Sequence, residues 1–170
     1  MLKIFVNTWA NYNENGADGG RWITLPMDWD DLDATLTEIA ESVNDIDPEF
    51  CIHDYEWTGF EYSNIGENDN IRDLNDTVSE LDALDDHDQK KVAAILEACE
   101  NDLQRAINNV DDYTLYEGMD IDEVAEQLVE DMGLLDGCGE LVRRYFDYEA
   151  FARDLRFDGY YETAHGVLCE

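Results

Sequence analysis

The chain has 170 residues, of which 43 are acidic and 10 basic, so its formal net charge at pH 7 is −33. This charge excludes a protein that binds nucleic acid through a basic surface, whereas the 44% hydrophobic content argues against disorder. The length allows one domain or two or three small ones. The charge favours small subdomains in an elongated chain, because an elongated body lowers self-repulsion.

The chain contains no apolar run of membrane-spanning length, and Met1–Val6 leads into strand-like sequence without a signal-peptide core. We therefore expect a cytoplasmic protein without a membrane partner. The four cysteines are widely spaced, which in a reducing compartment predicts buried thiols rather than disulfides or zinc ligands.

The N-terminal part predicts a small αβ subdomain over residues 1–61. Residues 2–9 and 21–25 have the β-branched and aromatic content of strands, and the Asn- and Gly-rich residues 11–20 predict a long hairpin loop. A helix is predicted over 28–43, followed by a strand from Phe50 to Trp57. The inward residues of this helix are expected to be Trp29, Leu32, Leu36, Ile39, Ala40 and Val43. The opposite face is acidic and consists of Asp30, Asp31, Asp33, Glu38 and Glu41.

A loop-like stretch from Gly59 to Asn70 precedes a predicted helical subdomain over 62–110. Apolar residues recur there at helical spacing, which predicts a short bundle with a small core. The three apolar stripes are Ile71, Leu74, Val78 and Leu81; Val92, Ile95, Leu96 and Cys99; and Leu103, Ile107 and Val110.

A second αβ subdomain is predicted over residues 111–170, which makes the fold class α+β. It begins with a short strand in Asp111–Tyr116 and a helix over 120–132 that Gly133 ends. Two short helices and a strand at Tyr160–Thr163 follow, although no sheet partner for that strand is evident. The expected inward residues of the 120–132 helix are Ile121, Val124, Leu128 and Met132, and helical spacing continues through Leu141, Tyr145, Tyr148, Phe151 and Leu155.

No motif for catalysis or metal binding emerges. The stretch Asp120–Val124 lacks an oxygen ligand at the fifth position of a calcium loop, and the chain has no phosphate-binding loop or nucleophile elbow. The pair His53-Asp54 resembles a phosphohydrolase metal pair but lies on a predicted strand. We expect no enzyme activity, no catalytic residue, no metal and no cofactor.

The 120–132 helix concentrates acidic residues on the arc opposite its apolar stripe, and three of them, Asp122, Glu126 and Glu130, follow each other at four-residue spacing. Like-charge pairs at this spacing destabilise a helix by a few tenths of a kcal/mol each. Three accounts of such a surface remain open on composition alone: a solvated face without a partner, adaptation to high salt, and imitation of the phosphate charge of DNA.

The charge is uneven along the chain. Residues 1–66, 67–136 and 137–170 carry net charges of −12, −18 and −3. The region 134–165 combines four arginines with many aromatic residues, a composition that is enriched at association surfaces. We therefore predict that two copies of the chain meet there, with interface residues Tyr145, Phe146, Tyr148 and Leu155.

The sequence LLDG followed by RRYFDYEAFARDL resembles the C-terminal motif of the ArdA antirestriction proteins. The stretches IFVNTWANYNENGADGGRWITL and EFCIHDYEW resemble the family's first three strands and their Tyr-Asn loop. Cys138 and Gly139 depart from this pattern, since the family motif has a small apolar residue and a proline there, and the chain ends Leu168-Cys169-Glu170 where the family has an aromatic strand.

The resemblance implies an elongated homodimer, carried by a mobile genetic element, that acts as a DNA mimic. Its partner would be a Type I restriction-modification enzyme, whose methyltransferase core holds the DNA-binding groove to be filled. An alternative function is an acidic interaction module that binds another basic DNA-binding protein. In the first case the phosphate-mimicking carboxylates are predicted to be Asp30, Asp33, Glu41, Asp85, Asp86, Asp122, Glu126 and Glu130.

Overall fold

The computed structural model describes residues 1–170 and contains eight α-helices and two three-stranded antiparallel sheets, so the α+β class is confirmed. The chain divides into two compact units, Met1–Asp85 and Asp86–Glu170. The helices predicted within 62–110 lie in both units. The division into three subdomains, 1–61, 62–110 and 111–170, stays a prediction.

The first unit is built on a three-stranded sheet with its first strand in the centre. The strand order is β2-β1-β3, and Ile4 of β1 lies opposite Ile23 of β2 and Tyr55 of β3. The elements of this unit are β1 (Leu2–Thr8), α1 (Trp9–Asn15), β2 (Arg21–Leu25), α2 (Trp29–Ser42), β3 (Phe50–Trp57) and α3 (Ile71–Ala83).

One core lies between the sheet and the helices α2 and α3. Alternate residues of β1 point to this core, as the two-residue period of a strand requires. The predicted apolar stripe of α3 is confirmed as buried. On α2, Trp29 is 47% exposed, contrary to the prediction, because the core begins one turn later at Leu32. The core residues are Leu2, Ile4, Val6, Ile23, Leu25, Leu32, Leu36, Ile39, Ile52, Ile71, Leu74 and Val78.

The connection between β1 and β2 is a helix, where the sequence predicted a loop over 11–20. Thr8 caps α1, because its hydroxyl accepts a hydrogen bond from the backbone N–H of Asn11. The Asn11 amide donates to the Asn7 side chain (3.0 Å) and accepts from Asn15 (2.9 Å), so asparagines that suggested a turn stabilise the helix. The prediction was wrong because Asn11 and Asn15, four residues apart, lie on one face of α1, where their side chains pair.

Asn75 of α3 fastens the helix to the chain before α2. Its side chain is 2% exposed; Oδ1 accepts from the Met27 N–H (2.9 Å), and Nδ2 donates to the Met27 carbonyl (3.1 Å). Removing the amide leaves two backbone groups without their partner, so we expect Asn75→Ala to lower the free energy of unfolding by about 1–3 kcal/mol.

Denaturant unfolding of Asn75→Ala and of Asn13→Ala tests this expectation. Asn13 is an exposed helical asparagine in the same unit, and its substitution is expected to change stability by less than about 0.5 kcal/mol. Equal effects of the two substitutions would contradict a fastening role for Asn75.

The second unit is also built on a three-stranded sheet, with the order β4-β6-β5. Its last strand is the central one. Its elements are α4 (Asp86–Ala98), α5 (Leu103–Asn108), a 3₁₀ turn (Val110–Asp112), β4 (Thr114–Glu117), α6 (Ile121–Asp131), α7 (Glu140–Arg144), α8 (Tyr148–Leu155), β5 (Tyr160–Thr163) and β6 (Gly166–Cys169).

The strand β6 is the sheet partner that the sequence did not reveal for β5. Tyr161 lies opposite Leu168 in this pair, and Leu168 lies opposite Leu115 on the other side. Gly166 has a φ of +132°, and a Cβ atom there would collide with the Tyr116 carbonyl oxygen. A glycine is therefore required where β6 enters the sheet.

Helices cover both faces of this sheet. Val167 faces α6 and α8, where it joins a core with Ile121, Val124, Ala125, Ala152 and Leu155. Leu168 points to the opposite face, where α4 contacts all three strands. None of the eight helices combines the length and the apolar character that a membrane crossing requires.

Candidate functional site

The acidic residues form the surface of both units. None of the 43 acidic side chains is buried, since the buried polar residues are Asn7, Thr8 and Asn75. The unit Met1–Asp85 carries 21 acidic and 3 basic residues, and Asp86–Glu170 carries 22 and 7. Each unit is therefore strongly anionic by itself.

Most of the basic side chains neutralise acidic neighbours within their own unit. Seven of the ten lysines and arginines form ion pairs, while Lys3, Arg143 and Arg144 form none. Most of the positive charge is thus engaged internally. The pairs are Arg21–Glu38, Arg72–Asp33, Lys90 with Asp86 and Glu117, Lys91–Asp88, Arg105–Glu100, Arg153–Asp154 and Arg156–Glu162.

The helix α6 carries the clearest acidic surface, and its start is well defined. Asp120 and Glu123 form a capping box: the Asp120 carboxylate accepts from the Glu123 N–H (2.9 Å), and the Glu123 carboxylate accepts from the Asp120 N–H (3.0 Å). Acidic residues in the first turn also interact favourably with the helix dipole. The helix ends before Gly133, whose φ of +61° suits a glycine.

The buried face of α6 differs by part of a turn from the predicted one. Ile121 and Val124 are buried as predicted, but Ala125 and Val129 complete the buried face. Met132 is 64% exposed, contrary to the prediction, because the helix ends at Asp131 and the core does not reach the following residue.

The carboxylates of Asp122, Glu126 and Glu130 are exposed and form a line along α6, which we call the α6 ridge. The helix contains no basic residue, and Glu126 and Glu130 have no ion pair or hydrogen bond through their side chains. Asp122 lies near Arg156. The pKa of Arg156 is raised, first by its hydrogen bond to Glu162 and more weakly by the Asp122 charge.

The predicted residues of the first unit lie on the outer face of α2. Asp30, Asp33 and Glu41 are exposed. Asp33 is already engaged, since the Nε and Nη2 atoms of Arg72 donate to its Oδ1 at 2.9 and 2.7 Å. Asp30 and Glu41 have no ion pair.

Asp85 and Asp86 follow α3, and both are exposed. Asp86 lies 2.6 Å from the Lys90 ammonium, which also binds Glu117. Hydrogen bonds to Asp86 and Glu117 raise the pKa of Lys90. The pKa of Glu117 is lowered, first by its hydrogen bond with Lys90 and then by its hydrogen bond with His87. The structure therefore brings three predicted residues together on α6 and three on α2, and it places Asp86 in a local charge network.

The α7 helix exposes an apolar surface beside two unpaired arginines, Arg143 and Arg144. Leu141, Val142 and Tyr145 are 69%, 54% and 76% exposed. The α7 helix has only five residues and no buried one, so its period did not indicate a core face. An open groove of about 460 Å³, which we call the α7 groove, is lined by Leu141, Val142, Tyr145, Phe146 and Asp147.

The other predicted interface residues differ in position. The ring of Phe146 packs edge to face against Tyr148 (4.8 Å between centroids), which connects the groove to α8. Tyr148 is partly exposed, but Leu155 is 6% exposed and belongs to the core of the second unit. Sequence reasoning missed Val142, which the adjacent apolar pair Leu141-Val142 in so short a helix could have indicated.

His53 lies in an aromatic environment. Tyr12 stacks on its ring with 3.5 Å between centroids, and Cys51 Sγ is 3.0 Å from Nε2. Burial raises the pKa of the Cys51 thiol to about 11, so the thiol is protonated at neutral pH. Asp54 instead accepts from the Tyr55 N–H. No group of three or more His, Cys, Asp or Glu side chains is arranged to hold a metal ion.

All four cysteines are free, and the prediction of buried thiols holds for Cys51 alone. Cys99 is exposed because it follows the end of α4, beyond the residues that pack on the sheet. Cys138 and Cys169 are partly exposed.

A comparison with protein families matches residues 4–169 to the model described as "Antirestriction protein (ArdA)". A search of the curated proteins finds no match.

Proposed function

Because this chain belongs to the ArdA family of antirestriction proteins, we propose that it occupies the DNA-binding groove of Type I restriction-modification enzymes in place of DNA. Membership of the family implies an antirestriction function and an interaction with restriction enzymes. The family consists of inhibitors and is not an enzyme family. The proposal concerns the mechanism, which is competitive occlusion of the groove in the methyltransferase core.

The observation that carries the proposal is the charge density of α6. Six of the twelve residues from Asp120 to Asp131 are acidic. At 1.5 Å rise per residue this segment is about 18 Å long, which gives about one negative charge per 3 Å. One strand of duplex DNA carries a phosphate about every 3.4 Å of axis. A DNA channel lined with Lys and Arg would therefore meet a similar linear charge.

The proposed phosphate-mimicking residues are not equivalent. The carboxylates of the α6 ridge project from a helix without a basic residue, and two of them have no counterion. In contrast, Asp33 and Asp86 are bound by Arg72 and Lys90. We expect the α6 ridge to dominate the interaction, with Asp30, Asp33, Glu41, Asp85 and Asp86 contributing less.

We further propose that the chain acts as a homodimer and that a second copy covers the α7 groove. The charge of −33 opposes contact between copies at most of the surface. The α7 groove combines exposed apolar side chains with Arg143 and Arg144, which have no acidic partner of their own. A second copy supplies both an apolar surface and carboxylates for these arginines.

Competition and salt dependence test the proposed mechanism. If carboxylates replace phosphates, binding to the Type I methyltransferase core releases small ions from both charged surfaces, so the affinity falls steeply as the salt concentration rises. For six to ten charge contacts the counterion relation gives a loss of about 10³-fold to 10⁵-fold between about 50 and 200 mM salt. We expect DNA and this protein to exclude each other from the enzyme.

The measurement is the dissociation constant of the complex with the methyltransferase core at several salt concentrations, with and without duplex DNA. An unrelated DNA-binding protein serves as the control and is expected to bind far more weakly, which separates the proposal from general binding to basic proteins. A complex in which the enzyme holds both DNA and this protein would contradict the mechanism.

A further inference from the structure

The acidic face of α2 is partly neutralised by arginines from two other elements. Arg72, which lies on α3, donates two hydrogen bonds to Oδ1 of Asp33, and Arg21 of β2 donates to Oε2 of Glu38 (2.9 Å). All four side chains are about half exposed. A basic side chain of a partner can therefore approach these carboxylates, but it meets an arginine that is already bound.

The pairing takes up most of the positive charge of the first unit. Its three basic residues are Lys3, Arg21 and Arg72, and two of them bind α2. Lys3 is exposed between the buried residues Leu2 and Ile4, so it lies on the sheet face opposite α2. It forms no ion pair.

We infer that Arg21 and Arg72 are internal counterions that compete with the restriction enzyme's basic side chains for Asp33 and Glu38 and thereby weaken the α2 face as a DNA mimic. The inference rests on the proposed function. It assigns the two arginines a role in setting the affinity of the inhibitor. Glu126 and Glu130 on the α6 ridge have no such counterion.

The two ion pairs affect stability and binding differently. Exposed ion pairs contribute little to the stability of a fold, so their removal is expected to leave the first unit folded. A carboxylate bound to an internal arginine has already exchanged its small counterions for that arginine, and it can release few more to a partner. If each freed carboxylate behaves like a phosphate of duplex DNA, it steepens the dependence of log affinity on log salt by about 0.9.

The test is the double variant Arg21→Gln, Arg72→Gln in the full chain. We expect about tenfold tighter inhibition of a Type I enzyme at about 0.1 M salt, a salt slope steeper by about two, and an unchanged unfolding temperature. The single variant Arg72→Gln is expected to show about half of the change in slope, and it keeps the test decisive if the double variant does not fold.

Two control variants separate ion pairing from net charge. Lys3→Gln removes one positive charge from the same unit without freeing a carboxylate, so it is expected to have little effect. Arg72→Lys keeps the charge but loses the two-atom contact, so inhibition should lie near that of the original chain. Equal gains from Lys3→Gln and Arg72→Gln would overturn the inference.

Unchanged or weaker inhibition by the arginine variants would also overturn it, since the arginines would then be neutral or would position the carboxylates for the partner. Failure of this inference can be distinguished from failure of the proposed function by comparing the arginine variants with variants of the α6 ridge. If variants of the α6 ridge lose inhibition while the arginine variants gain none, only the counterion role fails. If the α6 variants keep full inhibition, the DNA mimicry fails.

Discussion

Combining Asp122→Asn, Glu126→Gln and Glu130→Gln is expected to weaken inhibition of a Type I enzyme by about 10²-fold at about 0.1 M salt. The three substitutions keep the approximate shape of the side chains and remove the charges of the α6 ridge. None of the three side chains is buried, so the core of the second unit is unchanged. The expected loss comes from three fewer charge contacts with the DNA channel.

Stability of this triple variant is expected to stay about level at low salt. Removing the like-charge pairs 122–126 and 126–130 removes about 0.2–0.5 kcal/mol of repulsion for each pair. Asp122 lies in the first turn of α6, so its neutralisation also removes a favourable dipole interaction of about 0.3–1 kcal/mol. Inhibition and stability should therefore respond differently to the same substitutions.

A matched triple variant on α2, with Asp30→Asn, Asp31→Asn and Glu41→Gln, removes the same net charge from the other unit. We expect it to weaken inhibition less than the α6 variant, because Arg21 and Arg72, bound to Glu38 and Asp33, already offset part of the negative charge of α2. Equal losses would show that net charge, and not the α6 ridge, governs binding.

The same α6 variant separates the three accounts of the acidic surface. Adaptation to high salt predicts a loss of stability in concentrated salt and an unchanged affinity. A solvated face without a partner predicts no change in either quantity. Thermal unfolding at two salt concentrations and inhibition at one therefore decide between the accounts, and undiminished inhibition would exclude α6 as a phosphate mimic.

Local patterns predicted the regular elements well. The strand Phe50–Trp57 has its predicted bounds, and the helix predicted over 28–43 forms as Trp29–Ser42. The helix predicted over 120–132 forms as Ile121–Asp131, and its capping box and terminal glycine involve residues within a few positions of each end. These features can be predicted from the sequence because the interacting groups are close together in it.

Contacts between residues far apart in the sequence could not be predicted from local patterns. The strand β6 is the centre of its sheet because it also pairs with the distant strand β4, where a close approach of the two backbones requires Gly166. The engagement of Asp33 depends on an arginine 39 residues away. The pair Asp86–Lys90, four residues apart on one helix, is of the kind that sequence spacing does indicate. Which carboxylates are neutralised was therefore only partly predictable.

The double variant Leu141→Ala, Tyr145→Ala is expected to convert the proposed homodimer into monomers. Both side chains are more than two thirds exposed in the single chain and line the α7 groove, so their truncation should not destabilise the fold. If a second copy covers them, each large side chain at the centre of the interface contributes about 2 kcal/mol or more. The dimer dissociation constant should then rise by at least about 10²-fold.

Sedimentation at micromolar concentration measures this change, and Phe157→Ala is the matched control. Phe157 is 83% exposed in the same unit but does not line the groove, so its variant should remain dimeric. Leu155→Ala would be a poor test, because truncating this core residue costs about 2–5 kcal/mol of stability. An original chain that is monomeric at these concentrations would exclude the dimer, and so would a Leu141, Tyr145 variant that still dimerises.

The monomeric variant keeps its α6 ridge intact, so we expect it to retain part of its inhibition. Each monomer keeps its own carboxylates, so binding to the methyltransferase core should persist. What is lost is the simultaneous engagement of two copies, which raises apparent affinity through effective concentration when the geometry allows both to bind. Inhibition by the variant should therefore weaken and become less steep with salt, since fewer charge contacts form in each complex. Inhibition equal to that of the original chain would show that one copy alone fills the groove.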